Sequence, residues 1–327
     1  MPRTQALQDW ITQLFPGQAP DLAPASADAS FRRYFRITLA DGSTRVIMDA
    51  PPEHEDCRPY LQVARLLDDA GVHVPRVFAE DLQQGFLLLS DLGNTTYLDA
   101  LKAHPDSAPA LYREASAALV TLQKASRPGV LPEYDRALLS RELQLFPDWY
   151  IARHLGITLS ETQQAALTGV FEKILANNLA QPKVFVHRDY HSRNLMISTP
   201  NPGVLDFQDA VYGPHTYDLV SLFRDAYISW EEEQELDWAI RYWEMARKAS
   251  LPVPADFYDF WRDYEWMGVQ RHIKVLGIFA RLYHRDGKDG YLADMPRVMA
   301  YLRRAAERYI DLKPLLLLLD ELENREV

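Results

Sequence analysis

Asp189, Asn194 and Asp206 are the residues of this chain whose types and spacing could do chemistry. Asp189 stands in the run His187-Arg188-Asp189, and Asn194 follows after four intervening residues. Asp206 arrives one apolar run later. The order His-Arg-Asp-x-x-x-x-Asn and then a further acid suits phosphoryl transfer. That reaction asks for little covalent work from the protein. It needs a carboxylate to orient the attacking hydroxyl and oxygen ligands to hold magnesium on the phosphates. Asp189 would orient the hydroxyl; Asn194 and Asp206 would hold the metal. Asp and Asn are also ordinary turn formers, so a lone His-x-Asp would signify no more than a polar loop. His187 fits a packing and loop-holding role better than a chemical one.

The elements that must position these residues are legible in the stretch 184–207, VFVHRDYHSRNLMISTPNPGVLDF. A β-prone run leads into a polar loop from His187 to Asn194, and the triplet Leu195, Met196, Ile197 follows. A Pro-Asn-Pro-Gly turn then precedes Val204 and Leu205, which deliver Asp206 and Phe207. The pattern is strand, loop and hairpin ending in an acid. An acid at hairpin distance from an Asp-Asn loop, with apolar runs on both sides, is hard to meet by accident.

Residues 187–194, with His191 after the Asp, resemble the catalytic loop of the aminoglycoside phosphotransferase and choline kinase group, the small-molecule branch of the protein-kinase-like fold. The resemblance runs over almost the whole chain. Within that group, YDRALLSRELQLFPDWYIARHLG and GVQRHIKVLGIFARL resemble the cell-wall-recycling sugar kinases, which phosphorylate the anomeric hydroxyl of N-acetylmuramate and N-acetylglucosamine. The resemblance implies an α+β, bilobal fold. Residues 1–92 would form an antiparallel-sheet lobe that binds nucleotide, and residues 93–327 a mainly helical lobe with the catalytic loop and acceptor site. It implies ATP and Mg²⁺ as cofactors and an amino sugar as the small-molecule partner. Asp206 would be the metal acid of an Asp-Phe-Gly motif that here reads Asp-Phe-Gln, with Gln208 in the place of the glycine.

Towards the N-terminus, Leu7, Trp10, Ile11, Leu14 and Phe15 fall at helical spacing and stop at Pro16-Gly17. From Tyr34 to Leu39 apolar and polar residues alternate, Asp41-Gly42 signals a two-residue hairpin, and Arg45 to Met48 continues as a second strand. In the kinase-like fold this ribbon would lie over the nucleotide phosphates, with ASADASFRR in the place of the glycine-rich loop. That loop has no glycine; its small residues Ala27, Ala29 and Ser30 would let backbone N–H groups approach phosphate oxygens. The second strand lacks the customary lysine, with Met48 at the position that best corresponds. A thioether cannot neutralise phosphate. Arg32 and Arg33 either supply the cation or are solvated arginines at a strand start. A helix over 58–70 and a strand with Val74, Val77 and Phe78 come next. Phe86 to Leu89 then leads into Ser90-Asp91-Leu92-Gly93, which resembles the hinge between lobes. Backbone groups of Ser90 and Leu92 would bind the adenine edge there, with Asp91 holding the turn.

Beyond the hinge the spacing turns helical over Tyr97–Ala103, Ala108–Lys124, Asp135–His154 and Glu161–Asn177. Trp149 and Tyr150 on the third of these either belong to the core or wall a sugar pocket. Asp218, ahead of an apolar helix, resembles the acid that accepts backbone N–H groups of the catalytic loop. Asp209 is a candidate acceptor for a substrate hydroxyl. Arg271 and Lys274 share a face of the helical pattern 256–283; they either receive the carboxylate of an acidic sugar or form a solvent-facing basic patch.

With 327 residues, 47% of them hydrophobic, the chain has material for one large or two medium domains. A net charge of −11 argues against general nucleic-acid affinity. The single Cys57 fits a reducing compartment. The N-terminal segment shows no secretory pattern, and the longest aliphatic run, Leu315 to Leu319, falls far short of the ~20 residues that span a bilayer. A cytoplasmic protein with no membrane and no obligate protein partner is expected. Three rivals stand beside the sugar kinase. An antibiotic kinase would want an acidic pocket for its polycationic substrates. A protein kinase would want an Ala-Pro-Glu segment and a longer activation loop. A nucleotide-binding pseudokinase is motivated by the absent lysine and opposed by Asp189, Asn194 and Asp206 together.

Overall fold

The structure, a computed structural model, describes residues 2–18, 20–27 and 31–324. They gather into two compact units, one of residues 1–96 with 195–209, the other of residues 97–194 with 210–327.

The first unit is built on β1 (Ala23–Ala27), β2 (Arg33–Thr38), β3 (Thr44–Asp49), β4 (Val77–Asp81) and β5 (Phe86–Ser90). They form one antiparallel sheet in the order β1-β2-β3-β5-β4. Alternation puts Ile37, Ile47, Phe86 and Leu88 on one face, where they pack against Leu7, Trp10 and Ile11 of α1 (Pro2–Leu14). Each such side chain contributes about 1.5–3 kcal/mol by leaving water. The β2–β3 connection is one residue longer than the expected two-residue turn. Leu39 N–H donates to Ser43 O at 2.8 Å, because the Asp41 carboxylate captures the Ser43 N–H at 2.9 Å. Gly42 takes φ +82° in this loop, a conformation open to glycine at no steric cost. The segment 25–33, expected in the place of the glycine-rich loop, begins inside β1. After β3 in the chain, α2 (Cys57–Asp69) starts at Asp56, whose carboxylate accepts the Arg58 N–H at 2.9 Å.

The short strands β7 (Leu195–Met196) and β8 (Gly203–Val204) pair antiparallel. Val204 N–H donates to His73 O at 2.8 Å and Ile197 N–H to Thr95 O at 2.9 Å. These bonds draw the hairpin, and Asp206 behind it, into the first unit. A simple cut at residue 92 would leave it with the helices.

The second unit contains α3 (Tyr97–Ala103), α4 (Ala108–Lys124), α5 (Arg136–Leu143), α6 (Glu161–Ala180), β6 (Lys183–Val186), β9 (Val211–Pro214), α7 (Tyr217–Phe223), α8 (Glu232–Lys248), α9 (Phe257–Asp286), α10 (Met295–Arg308) and α11 (Lys313–Glu323). The 30-residue α9 is buried along most of its length from Phe260 to Ala280, so it is the post around which the others pack. The expected continuous helix 135–154 is broken: α5 ends at Leu143 and a π-helix runs from Phe146 to His154. Pro147 has no N–H to continue the α ladder, and Leu155 N–H reaches back five residues to Tyr150 O at 3.0 Å. Gly277 of α9 lies against this break; a Cβ there would stand 2.5 Å from Leu145 C and O. No described helix is long and apolar enough to cross a membrane.

Candidate active site

The loop from His187 to Asn194 leaves β6, whose partner is β9. A loop between strands has backbone donors without ladder partners, and two buried carboxylates take them up. Asp218, fully buried in the first turn of α7, accepts the N–H groups of His187 at 2.7 Å and Arg188 at 2.9 Å. This is the loop-holding part anticipated for it. Asp225, two residues past the end of α7, accepts the Ser192 N–H at 2.9 Å. Inside the loop, Asp189 N–H donates to His187 Nδ1 at 3.2 Å, so that nitrogen is unprotonated and His187, itself buried, serves as a brace. Asn194 Nδ2 donates to Asp189 O at 2.9 Å. The amide is thereby oriented with its oxygen as the acceptor end. Arg188 adopts φ +78°, a backbone state costly for a non-glycine residue and held here by the bonds around it.

A ring of charge surrounds Asp189. Arg271 Nη2 stands 3.7 Å from its carboxylate, while Arg271 Nη1 donates to Arg188 O at 2.8 Å and to the Tyr217 hydroxyl at 3.2 Å. Lys274 donates to that hydroxyl at 2.8 Å and pairs with Glu142 at 3.0 Å. Glu142 also accepts Arg188 Nη2 at 2.6 Å and the hydroxyl of Tyr134. Desolvation by itself would push the Asp189 carboxyl up. The positive charges of Lys274 and Arg271, with that of Arg188, outweigh it and hold the group well below the usual carboxylate range. The side chain keeps 42% of its surface against 6% for Arg271. It is therefore an ionised acceptor open to a hydroxyl. Neither Arg271 nor Lys274 lies on a solvent-facing basic patch; both are among the buried residues of α9.

Asp206, in the first unit, follows β8 with φ +62°. Gln208, in the place of the motif glycine, turns its Nε2 back onto Asp206 Oδ1 at 2.8 Å. Phe207 is fully buried, its ring centroid 4.8 Å from that of Tyr60 in α2. Arg32 Nη1 lies 3.8 Å from Asp206 Oδ1. Arg33 instead pairs with the buried Asp49, which also takes Arg3 Nε at 2.7 Å. Met48 is buried within β3. Ser90 spends its N–H on Arg76 O at 2.8 Å and its Oγ on the Arg76 N–H at 2.8 Å, so it has no N–H to offer an adenine ring; its carbonyl and the backbone of Leu92 are the hinge groups left for the expected role. Asp91 holds the turn, accepting the Gly93 N–H at 3.0 Å and pairing with Arg36. Ser30 lies outside the described residues.

Tyr150 sits within the π-helix, its ring stacked at 5.1 Å on Phe146 and at 5.8 Å on His154. Asp209 is exposed. Sequence reading missed the part played by Glu142, although a signal existed: it shares the apolar stripe of Leu139, Leu143 and Phe146, and an acid on a buried face needs partners. Among the described residues no three or more His, Cys, Asp or Glu side chains form a metal cage. Magnesium is held by one or two protein oxygens together with substrate phosphates. Each unit carries one expected oxygen donor of suitable type, Asp206 in the first and the amide oxygen of Asn194 in the second.

Comparison with known proteins accords with this arrangement. The profile of the phosphotransferase enzyme family matches residues 21–257. A protein of Neisseria meningitidis named N-acetylmuramate/N-acetylglucosamine kinase is 55% identical over 328 residues, covering 100% of this chain and 98% of its own length. One of the same name from Pseudomonas aeruginosa is 53% identical, covering 96% and 95%. Among solved structures, choline kinase from Streptococcus pneumoniae superposes with a TM-score of 0.64 at 12% identity, over 92% of this chain and 99% of that one. An ADP-bound aminoglycoside phosphotransferase gives 0.61 at 14%, over 91% and 96%. With its Asp-loop built as described and the family profile covering most of its length, the chain belongs to the phosphotransferase enzyme family.

Proposed function

We propose that this chain is an ATP-dependent kinase that phosphorylates the anomeric hydroxyl of N-acetylmuramate and N-acetylglucosamine, serving the reuse of cell-wall sugars. One observation carries the acceptor: relatives matched end to end at 55% and 53% identity bear that name. The ionised, accessible Asp189 supports the reaction class. In this reading the sugar hydroxyl donates a hydrogen bond to the Asp189 carboxylate and attacks the γ-phosphorus as ADP departs. A carboxyl held so far below its usual range is a weak base, so its work is to orient the hydroxyl and take the proton late, when the new P–O bond has made it acidic. Magnesium, held by Asn194 and Asp206, would offset charge on the phosphates. Arg271 faces Asp189 and is the cation assigned to the acidic sugar's carboxylate. Lys274, engaged by Glu142 and Tyr217, keeps the loop in place. Tyr150 and Asp209 are assigned to the sugar, and Leu92 to the adenine edge.

The test is ATP consumption with magnesium against N-acetylmuramate, N-acetylglucosamine, other hexoses, an aminoglycoside and choline. Turnover on the two amino sugars alone is expected, and Asp189→Asn should lower kcat by about 10²–10⁴-fold. Turnover on the aminoglycoside or choline in preference to the sugars would sink the assignment.

A further inference from the structure

A kinase of this architecture needs a cation on the α and β phosphates and an acid to steady it, normally a lysine on the third strand and a glutamate on the helix that follows. The third strand here reads TRVIMD, and Met48 is buried within it. The two arginines at the start of β2 differ in their surroundings. Arg33 is half-exposed and paired with Asp49. Arg32 is turned inward with 12% of its side chain exposed; its Nε donates to Glu55 Oε2 at 3.3 Å, and its Nη1 stands 3.8 Å from Asp206 Oδ1. Phe31 stacks on His54, ring centroids 4.4 Å apart at 20°. Successive residues 31 and 32 thus grip successive residues 54 and 55, immediately before α2.

We propose that Arg32 is the phosphate-binding cation of this chain and that Glu55 positions it. A guanidinium suits the part, since its planar fork can hold a carboxylate on one edge while another edge meets a phosphate. Glu55 stands just ahead of α2, the helix in which the usual acid lies, and Arg32 just ahead of β2, the strand paired with β3. Burial raises the cost of leaving either charge unpaired, which holds the two together. The Phe31–His54 stack fixes the backbone from which Arg32 projects.

The inference rests on the kinase reading, and the experiment separates the two. Calorimetric titration with MgATP, MgADP and adenosine is made on the wild type, Arg32→Ala, Arg32→Lys and Glu55→Gln, with a melting curve for each. Arg32→Ala should weaken MgATP and MgADP about tenfold or more, the worth of one charged hydrogen bond, while adenosine affinity stays unchanged. Arg32→Lys should recover part of the loss. Glu55→Gln should show a smaller loss of the same kind. Wild-type affinity for MgATP in a folded Arg32→Ala protein would overturn the inference alone, and so would equal losses for adenosine and MgATP. Absence of any MgATP binding by the wild type would overturn the kinase reading beneath it. Should Arg32→Ala fail to fold, Glu55→Gln decides: unchanged MgATP affinity in that variant would overturn the proposal.

Discussion

At the scale of single residues, the site is a problem in charge compensation. Asp189 has to stay ionised in a partly desolvated place, and the cations that achieve this are themselves buried, so they need a counter-charge of their own. Glu142 supplies it for Lys274 and Arg188 at once. Breaking such an arrangement by removing one partner costs about 3–5 kcal/mol, because the survivor is left charged and dry. Lys274→Met should therefore lower the melting temperature markedly. It should also act on the pH profile. Lys274 is the leading charge that depresses Asp189, and a depressed carboxyl stays ionised as the pH falls. Without Lys274 that carboxyl rises towards its ordinary value, so the acidic fall in kcat/KM should move to higher pH. Rates measured from pH 4.5 to 8 would check this; a profile that keeps its acidic limb while stability drops would mean the lysine only supports the fold.

At the scale of elements, the decisive contact is between α9 and the break after α5. The π-helix has a local cause in Pro147, yet it persists because Gly277 allows α9 to touch the Leu145 backbone. The same α9 carries Arg271 and Lys274 to the catalytic loop. Gly277→Ala would place a methyl carbon 2.5 Å from backbone atoms of Leu145, and forcing that overlap costs about 1–3 kcal/mol. A melting temperature lowered by several degrees is expected, together with reduced kcat, since any shift of α9 moves the cations around Asp189. A variant as stable as the parent would show that the close approach is not needed. Elements of clear period, such as α2, α4 and α6, were legible from apolar spacing. The break at 144–145 was not, because the stripe of Leu139, Leu143 and Phe146 continues across it without a change in spacing.

At the scale of the whole molecule, nucleotide binding should appear as stability. A ligand that binds only the folded chain adds RT ln(1 + [L]/Kd), about 2.7 kcal/mol at a hundred times Kd. Thermal melts at rising MgATP should climb logarithmically with concentration; a melting temperature indifferent to it would contradict the kinase reading. The sequence by itself determined the class of chemistry and the kind of fold. Asp189, Asn194 and Asp206 declare their relation by spacing along a single stretch, and strand alternation and helix periodicity follow from which faces must be hidden from water. Tertiary structure alone decided which charges act. Arg32 and Arg33 are identical neighbours in sequence, and only the fold sends one to Glu55 and Asp206 and the other to Asp49. Arg271 and Lys274 read equally well as a solvated patch until α9 is seen to be buried. The physical reason is common to both cases. A charged side chain takes its role from its burial and its partners, and those partners lie tens of residues away, where periodicity carries no information.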